Sequence, residues 1–206
     1  MPTKTTIQAL RSQIGHNRIL STSQRYFVPP SSLSTIFTEA AVHEAVAELE
    51  CEPEERIGLA QTILDKVIII FAILVWMKEE DAIVIFRSHD VLDHNLPLDA
   101  PTAESISIDF GSSFAREYQW QFIPYAFSAD MADHHRKIRS EYILPFIGGL
   151  GPYITGGFSI VHRLEIHPTL QGFHTATVRM TARLSVVFRM VITESNTDID
   201  TGDNLC

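Results

Sequence analysis

Val67 to Met77 is an unbroken run of eleven apolar residues, closed at each end by a lysine, Lys66 and Lys78. A helix that crosses a bilayer needs about 20 such residues. The run is therefore too short for a membrane span and belongs to a protein core. Its four β-branched residues, Val67 to Ile70, suit a buried strand as well as a helix. The lead-in favours helix: Pro53 fits a first turn, where its missing N–H costs nothing, and Glu52, Glu54 and Glu55 oppose the helix dipole there. The sequence predicts one helix from about Pro53 to Trp76.

Other helices should pack around it. Thr3 to Ile14 has a capping threonine, with Ile7, Leu10 and Ile14 at helical spacing. Pro29-Pro30 stops any preceding helix, and Ser31 or Ser32 can cap a segment in which Leu33, Ile36, Phe37, Ala41, Val42, Ala45, Val46 and Leu49 repeat with helical period, divided at Thr38. A short helix is expected from after Glu79-Glu80-Asp81 to Arg87, then a loop marked by Asp90, Asp93, Pro97 and Pro101. Phe110 to Phe127 reads as an aromatic helix, and His134-His135-Arg136-Lys137-Ile138-Arg139 as the opening of a helix ending near Leu144-Pro145. Beyond this point the pattern changes. Five of the ten glycines (Gly148, Gly149, Gly151, Gly156, Gly157) fall within ten residues, Phe158 to Ile166 alternates like a strand, and Phe173 to Met180 and Leu184 to Thr193 read as further strands before an acidic tail.

The chain carries 16 Lys and Arg against 25 Asp and Glu, so it has no general field to attract nucleic acid or anionic membranes. Much of the acid lies in Glu39, Glu44, Glu48, Glu50, Glu52, Glu54, Glu55 and Asp65, relieved only by Arg56, and reads as a solvated helix face. The rings of the aromatic segment have only Arg116 among them, which points to core packing rather than base stacking. Two cysteines, Cys51 and Cys206, suit a reducing intracellular compartment, and the N-terminus has no secretory signal. Gly151 to Gly156 has Walker A spacing, but Gly157-Phe158 follows where Lys-Ser/Thr is required, so that reading fails. His134 and His135 point to different faces of a helix and make no zinc site.

The segment Tyr153-Ile-Thr-Gly-Gly-Phe-Ser-Ile-Val-His162, with Arg163-Leu-Glu-Ile-His-Pro168 after it, resembles the glycine-rich loop and first two strands of a fungal family of protein-kinase-like proteins. Upstream, Ile70-Phe-Ala-Ile-Leu-Val75, Asp93-His-Asn-Leu-Pro-Leu98, Gln119-Trp-Gln-Phe122 and Ile143-Leu-Pro-Phe146 resemble the helical segment that precedes the kinase domain in that family. The resemblance implies a nucleotide-binding hairpin at Gly156, Gly157, Phe158, Ser159 and Val161, with ATP and Mg as its ligands. It also exposes what is missing. Of the three glycines of the loop pattern only Gly156 is kept, with Ile154 and Ser159 at the other two positions. All four lysines (Lys4, Lys66, Lys78, Lys137) precede the loop, so no third-strand lysine can pair the α/β-phosphates. His-Arg-Asp is absent as well. Asp109-Phe110-Gly111 spells the magnesium tripeptide on the wrong side of the loop, where it reads as a turn.

The expected fold is mainly α: a helical N-terminal module (1–147), a small antiparallel β appendage like the first strands of a kinase small lobe (148–193), and a disordered acidic tail (194–206). The expected function is that of a truncated kinase-like protein without phosphotransfer, whose remaining role is binding another protein through the helical module. No catalytic residue, metal, nucleic-acid partner or membrane span is expected. Two alternatives remain open. One is the ATP-binding part of a serine/threonine kinase whose catalytic lobe is missing from this chain; the other is an unrelated helical interaction protein.

Overall fold

The computed structural model describes residues 5–128, 137–156, 159–172 and 185–189, with backbone alone at 149–163 and 185–189. The apolar run is helical, as its length and flanks predict, and forms α6 (Ile68–Met77). Ile70, Phe71, Ala72, Ile73, Leu74 and Val75 on it are wholly buried, so every face of its middle is covered, while Ile68, Ile69, Trp76 and Met77 at its ends are half-buried. Packed against it are α1 (Thr5–Asn17), α2 (Pro30–Ile36), α5 (Leu59–Lys66) and α7 (Ile83–Ser88), with α3 (Glu39–Glu48) against α1 and α5, all contributing to one continuous core. Phe37 meets Phe71 edge to face at 5.8 Å, and Phe86 meets Phe114 at 5.1 Å. The chain is mainly helical, with small strands.

The single helix expected from Pro53 to Trp76 is instead three. A one-turn α4 (Pro53–Arg56) is closed by the Glu52/Glu55 capping box and ends before Gly58, whose left-handed φ of 69° suits glycine. α5 follows, and at Val67 the chain turns so that α5 and α6 are bent by 107°. A new helix start leaves amides that need acceptors. Asp93 supplies them from a distant loop, its two carboxylate oxygens accepting from Ile69 N at 2.9 Å and Ile70 N at 3.0 Å. Burial raises the Asp93 carboxyl above its usual range, against the opposing pull of these amide hydrogen bonds. No single helix among the described residues is long and apolar enough to cross a membrane.

Other expectations are met or moved. Thr38 does divide its segment, and its hydroxyl accepts from Ala41 N as the cap of α3. The cap of α2 is neither Ser31 nor Ser32; Pro30 occupies the first turn after an extended Pro29. Pro101 lies in no loop but in the first turn of α8 (Ala100–Ile106), capped by Asp99 accepting from Thr102 N at 2.9 Å. The aromatic helix is shorter than Phe110 to Phe127. It comprises α9 (Gly111–Ser113), a π-helical turn (Phe114–Tyr118) and α10 (Gln119–Phe122), and Pro124 prevents its continuation. In the π turn the Ala115 carbonyl accepts from the side chains of Gln119 and Trp120. Residues 137–145 contain no helix, which corrects that expectation within the described part. Thr3, His134 and His135 lie outside the described residues.

The acidic run is not one face. Glu48 caps α1 by accepting from Thr6 N at 2.9 Å and Ile7 N at 3.1 Å. Burial pushes its carboxyl up, but these amides and the Thr5 and Thr6 hydroxyls outweigh that and hold it below its usual value. Glu52 and Glu55 cap α4, and Asp65 accepts from Gln61.

Strands β1 (Ile19–Leu20) and β2 (Tyr26–Phe27) form a small antiparallel ribbon after α1, and β3 (Phe127–Ser128) runs parallel to β6 (Gln171–Gly172). The main sheet is antiparallel in the order β4 (Phe146–Gly156), β5 (Ser159–Ile166), β7 (Ser185–Arg189). β4 begins well before the expected Tyr153, so Gly148, Gly149 and Gly151 sit within a strand, one interrupted by register shifts. The expected strand Leu184 to Thr193 contains β7, whereas Phe173 to Met180 and the tail 194–206 fall outside the described residues. Two small clusters, apart from the helical core, pack the strands and their connections together: Phe27, Ile143 and Leu170, and Phe127, Phe146 and Ile166. Thr22 N also donates to Phe146 O at 2.8 Å.

Candidate functional sites

The hairpin expected to hold nucleotide is built from β4 and β5, with Gly156 paired to Ser159 at its closed end. Gly157 and Phe158, between them, are outside the described residues. Val161 pairs with Ile154 on one side and with Arg189 of β7 on the other. The third strand reads Ser-Val-Val-Phe-Arg, so its cation is an arginine at the register position opposite Val161. Gly151 and Gly156 lie on the same strand, not in a loop that opens a helix, so the Walker spacing has no phosphate-loop geometry here.

The Asp109-Phe110-Gly111 tripeptide has a packing role. Gly111 abuts α8 so closely that a Cβ placed on it would lie 2.2 Å from the Ala103 carbonyl oxygen. Phe110 stacks on Phe86 at 6.4 Å. In the Ile-His-Pro stretch, Ile166 is buried against Phe127 and Phe146, and the His167 ring meets Phe27 edge to face at 5.9 Å. Burial lowers the His167 pKa below its ordinary value. These residues pack the strands against one another.

A second place has the chemistry of a site. Arg18, Arg25 and Arg116, remote in sequence, line one recess of about 240 Å3 with Tyr26, Glu117 and Gln121. Arg18 leaves the end of α1 and lies between two rings, 4.4 Å from the centroid of Tyr26 and 4.7 Å from that of Trp76. Arg25 donates to the carbonyl oxygens of Ser140 at 3.2 Å and Glu141 at 2.7 Å. Arg116 projects from the π turn, exposed. The sequence gives no local sign of this grouping, since the basic patch it does display lies at 134–139. Only the ribbon β1–β2, the π turn and the segment before β4 bring the three guanidinium groups together.

Cys51 is a free thiol, half-buried. Among the described residues no three His, Cys, Asp or Glu side chains are placed to share a metal ion. No family model, curated protein or solved structure matches the chain.

Proposed function

We propose that this chain is a protein-kinase-like protein without phosphotransfer activity, and that it acts by binding another protein through its helical body. One observation carries the reading. The third strand of the sheet, where the kinase resemblance calls for a lysine on the α/β-phosphates, bears Arg189 opposite Val161 and no lysine. A planar guanidinium fork does not replace a compact ammonium at such a position. With two of the three loop glycines also replaced, the hairpin keeps the outline of a nucleotide loop without its charge.

The helical body offers side chains for a partner. Ile57, 73% exposed, and Ile108, 89% exposed, are large apolar groups left in water on helical connections. Singly they are unremarkable features of a surface, so they support the protein-binding half of the proposal less strongly than Arg189 supports the non-catalytic half.

The test uses the full chain with ATP and magnesium. No phosphate transfer and no magnesium-dependent ATP binding in the micromolar range are expected. Either activity would overturn the proposal. For the binding half, a stoichiometric partner recovered with the wild-type chain should be lost with the double substitution Ile57→Asp, Ile108→Asp while circular dichroism is unchanged; equal recovery would exclude this surface.

A further inference from the structure

We infer that the recess between Arg18, Arg25 and Arg116 is a binding site for a phosphate group, either inorganic phosphate or the head of a small phosphate monoester. It is independent of the hairpin and of the kinase reading. In a chain with nine more acids than bases, three guanidinium groups converge on one small volume, and none of them is ion-paired within it. Glu117 also lines the recess, yet it forms no ion pair with any of the three. The local balance is thus two net positive charges, which a phosphate monoester dianion neutralises and a single carboxylate does not.

The three arginines are prepared to different degrees. Arg18 is held by the rings of Tyr26 and Trp76, and its Nε is buried without a hydrogen-bond partner. Desolvation works against the charge of Arg18, lowering its pKa, and an anion beside it would offset that cost. Arg25 is fixed by two backbone carbonyls. Arg116 makes no hydrogen bond or ion pair with any described residue and is free to close on a ligand. Arg116 and Glu117 stand on the π-helical turn, a distortion found frequently at functional sites.

Size narrows the ligand. At about 30 Å3 per water in the liquid, the recess holds roughly eight waters' worth of volume. That is below the 300–1,000 Å3 typical of pockets for drug-sized ligands, so it accepts a phosphate group and the first atoms of its ester, not a whole nucleotide. Fork-shaped donors suit the oxygens of phosphate better than a lone ammonium does.

The test is calorimetric titration of the full chain with inorganic phosphate, glycerol phosphate and acetate, without magnesium, read in parallel by the fluorescence of the tryptophans, since Trp76 lies against Arg18. Saturable phosphate binding at millimolar concentration or tighter is expected, weakened about tenfold or more by Arg116→Ala and unaffected by Lys66→Ala. Arg116 is exposed and unpartnered, so its removal leaves the fold intact, which an unchanged melting temperature verifies. Glycerol phosphate binding better than inorganic phosphate would identify an ester as the ligand; the reverse would identify the free anion. Acetate binding as tightly as phosphate, no saturable phosphate binding, or binding unchanged in both Arg116→Ala and Arg18→Lys would overturn the inference.

Discussion

The helical body is built on one helix whose middle six residues are wholly buried, whereas the strands are packed by two small clusters of their own. α6 packs against α1, α2, α5 and α7, and α3 adds to the same continuous core. The strands are attached by Phe27, Ile143 and Leu170, by Phe127, Phe146 and Ile166, and by the short β3–β6 pairing. Stability is therefore concentrated on one side of the molecule, while the groups with chemistry to offer lie on the other side or at the seam. Arg25 reaches from the ribbon to the carbonyls of the segment leading into β4, so the arginine recess lies where the two parts join. Elements of low local stability are the ones that ligands order most easily.

Substitutions test this contrast. Phe71→Ala empties the centre of the body and should cost about 3–5 kcal/mol, read by chemical denaturation; a loss under about 1 kcal/mol would mean that α6 is not the core the packing implies. Gly111→Ala drives a Cβ into the Ala103 backbone, which cannot yield as a side chain end could, and should cost about 1–3 kcal/mol or more. Its effect on stability, with no magnesium involved, would separate the packing role of that tripeptide from a metal-binding one.

Asp93→Ala removes the remote cap of α6 and should cost about 0.5–2 kcal/mol, while Asp93→Asn, which keeps an acceptor, should cost less. The pH dependence has a definite sign. Because the folded Asp93 carboxyl is raised above its ordinary value of 3.8, the fold favours its protonated form. Its contribution is fully present below that value and declines as pH rises through the higher folded value. The stability difference between wild type and Asp93→Asn, measured across that window, should shift against wild type with rising pH.

At the seam the effects should be smaller and more local. Ile166→Val should cost about 0.5–1.5 kcal/mol and appear as faster hydrogen exchange in β4 and β5 with α6 unchanged; equal acceleration in both would show that body and sheet unfold as one. The smallest effect belongs to His167. Its folded pKa is below its ordinary value of 6.5, so the neutral ring against Phe27 contributes above pH 6.5 and its contribution is lost as pH falls through the folded value. Protection of the sheet amides, corrected for their intrinsic exchange rates, should fall on mild acidification, and His167→Gln should remove that pH dependence.

The sequence displays what is local and hides what is not. An eleven-residue apolar run between lysines announces the core helix, and Thr38 announces a helix start three residues before the amide it caps. The break at Val67 was illegible because the carboxylate that stabilises the new helix start belongs to Asp93, 24 residues from Ile69. Glu48 looks like one of many solvated acids until α3 is laid beside the start of α1. The glycine-rich hairpin is conspicuous as text, but its register, with Gly156 paired to Ser159, and its chemistry depend on the partner strands. The arginine recess has the opposite character: Arg18, Arg25 and Arg116 belong to no motif, and only the fold gathers them.

Two sites thus compete for an anion, one recognisable by its glycines and one by its charge. The central claim is that charge decides and that the hairpin binds no nucleotide. A titration of ATP into the full chain and into Arg116→Ala, each with and without magnesium, tests it most directly. The account predicts that whatever binding is seen needs no magnesium and is weakened in Arg116→Ala; magnesium-dependent binding that survives Arg116→Ala would contradict it.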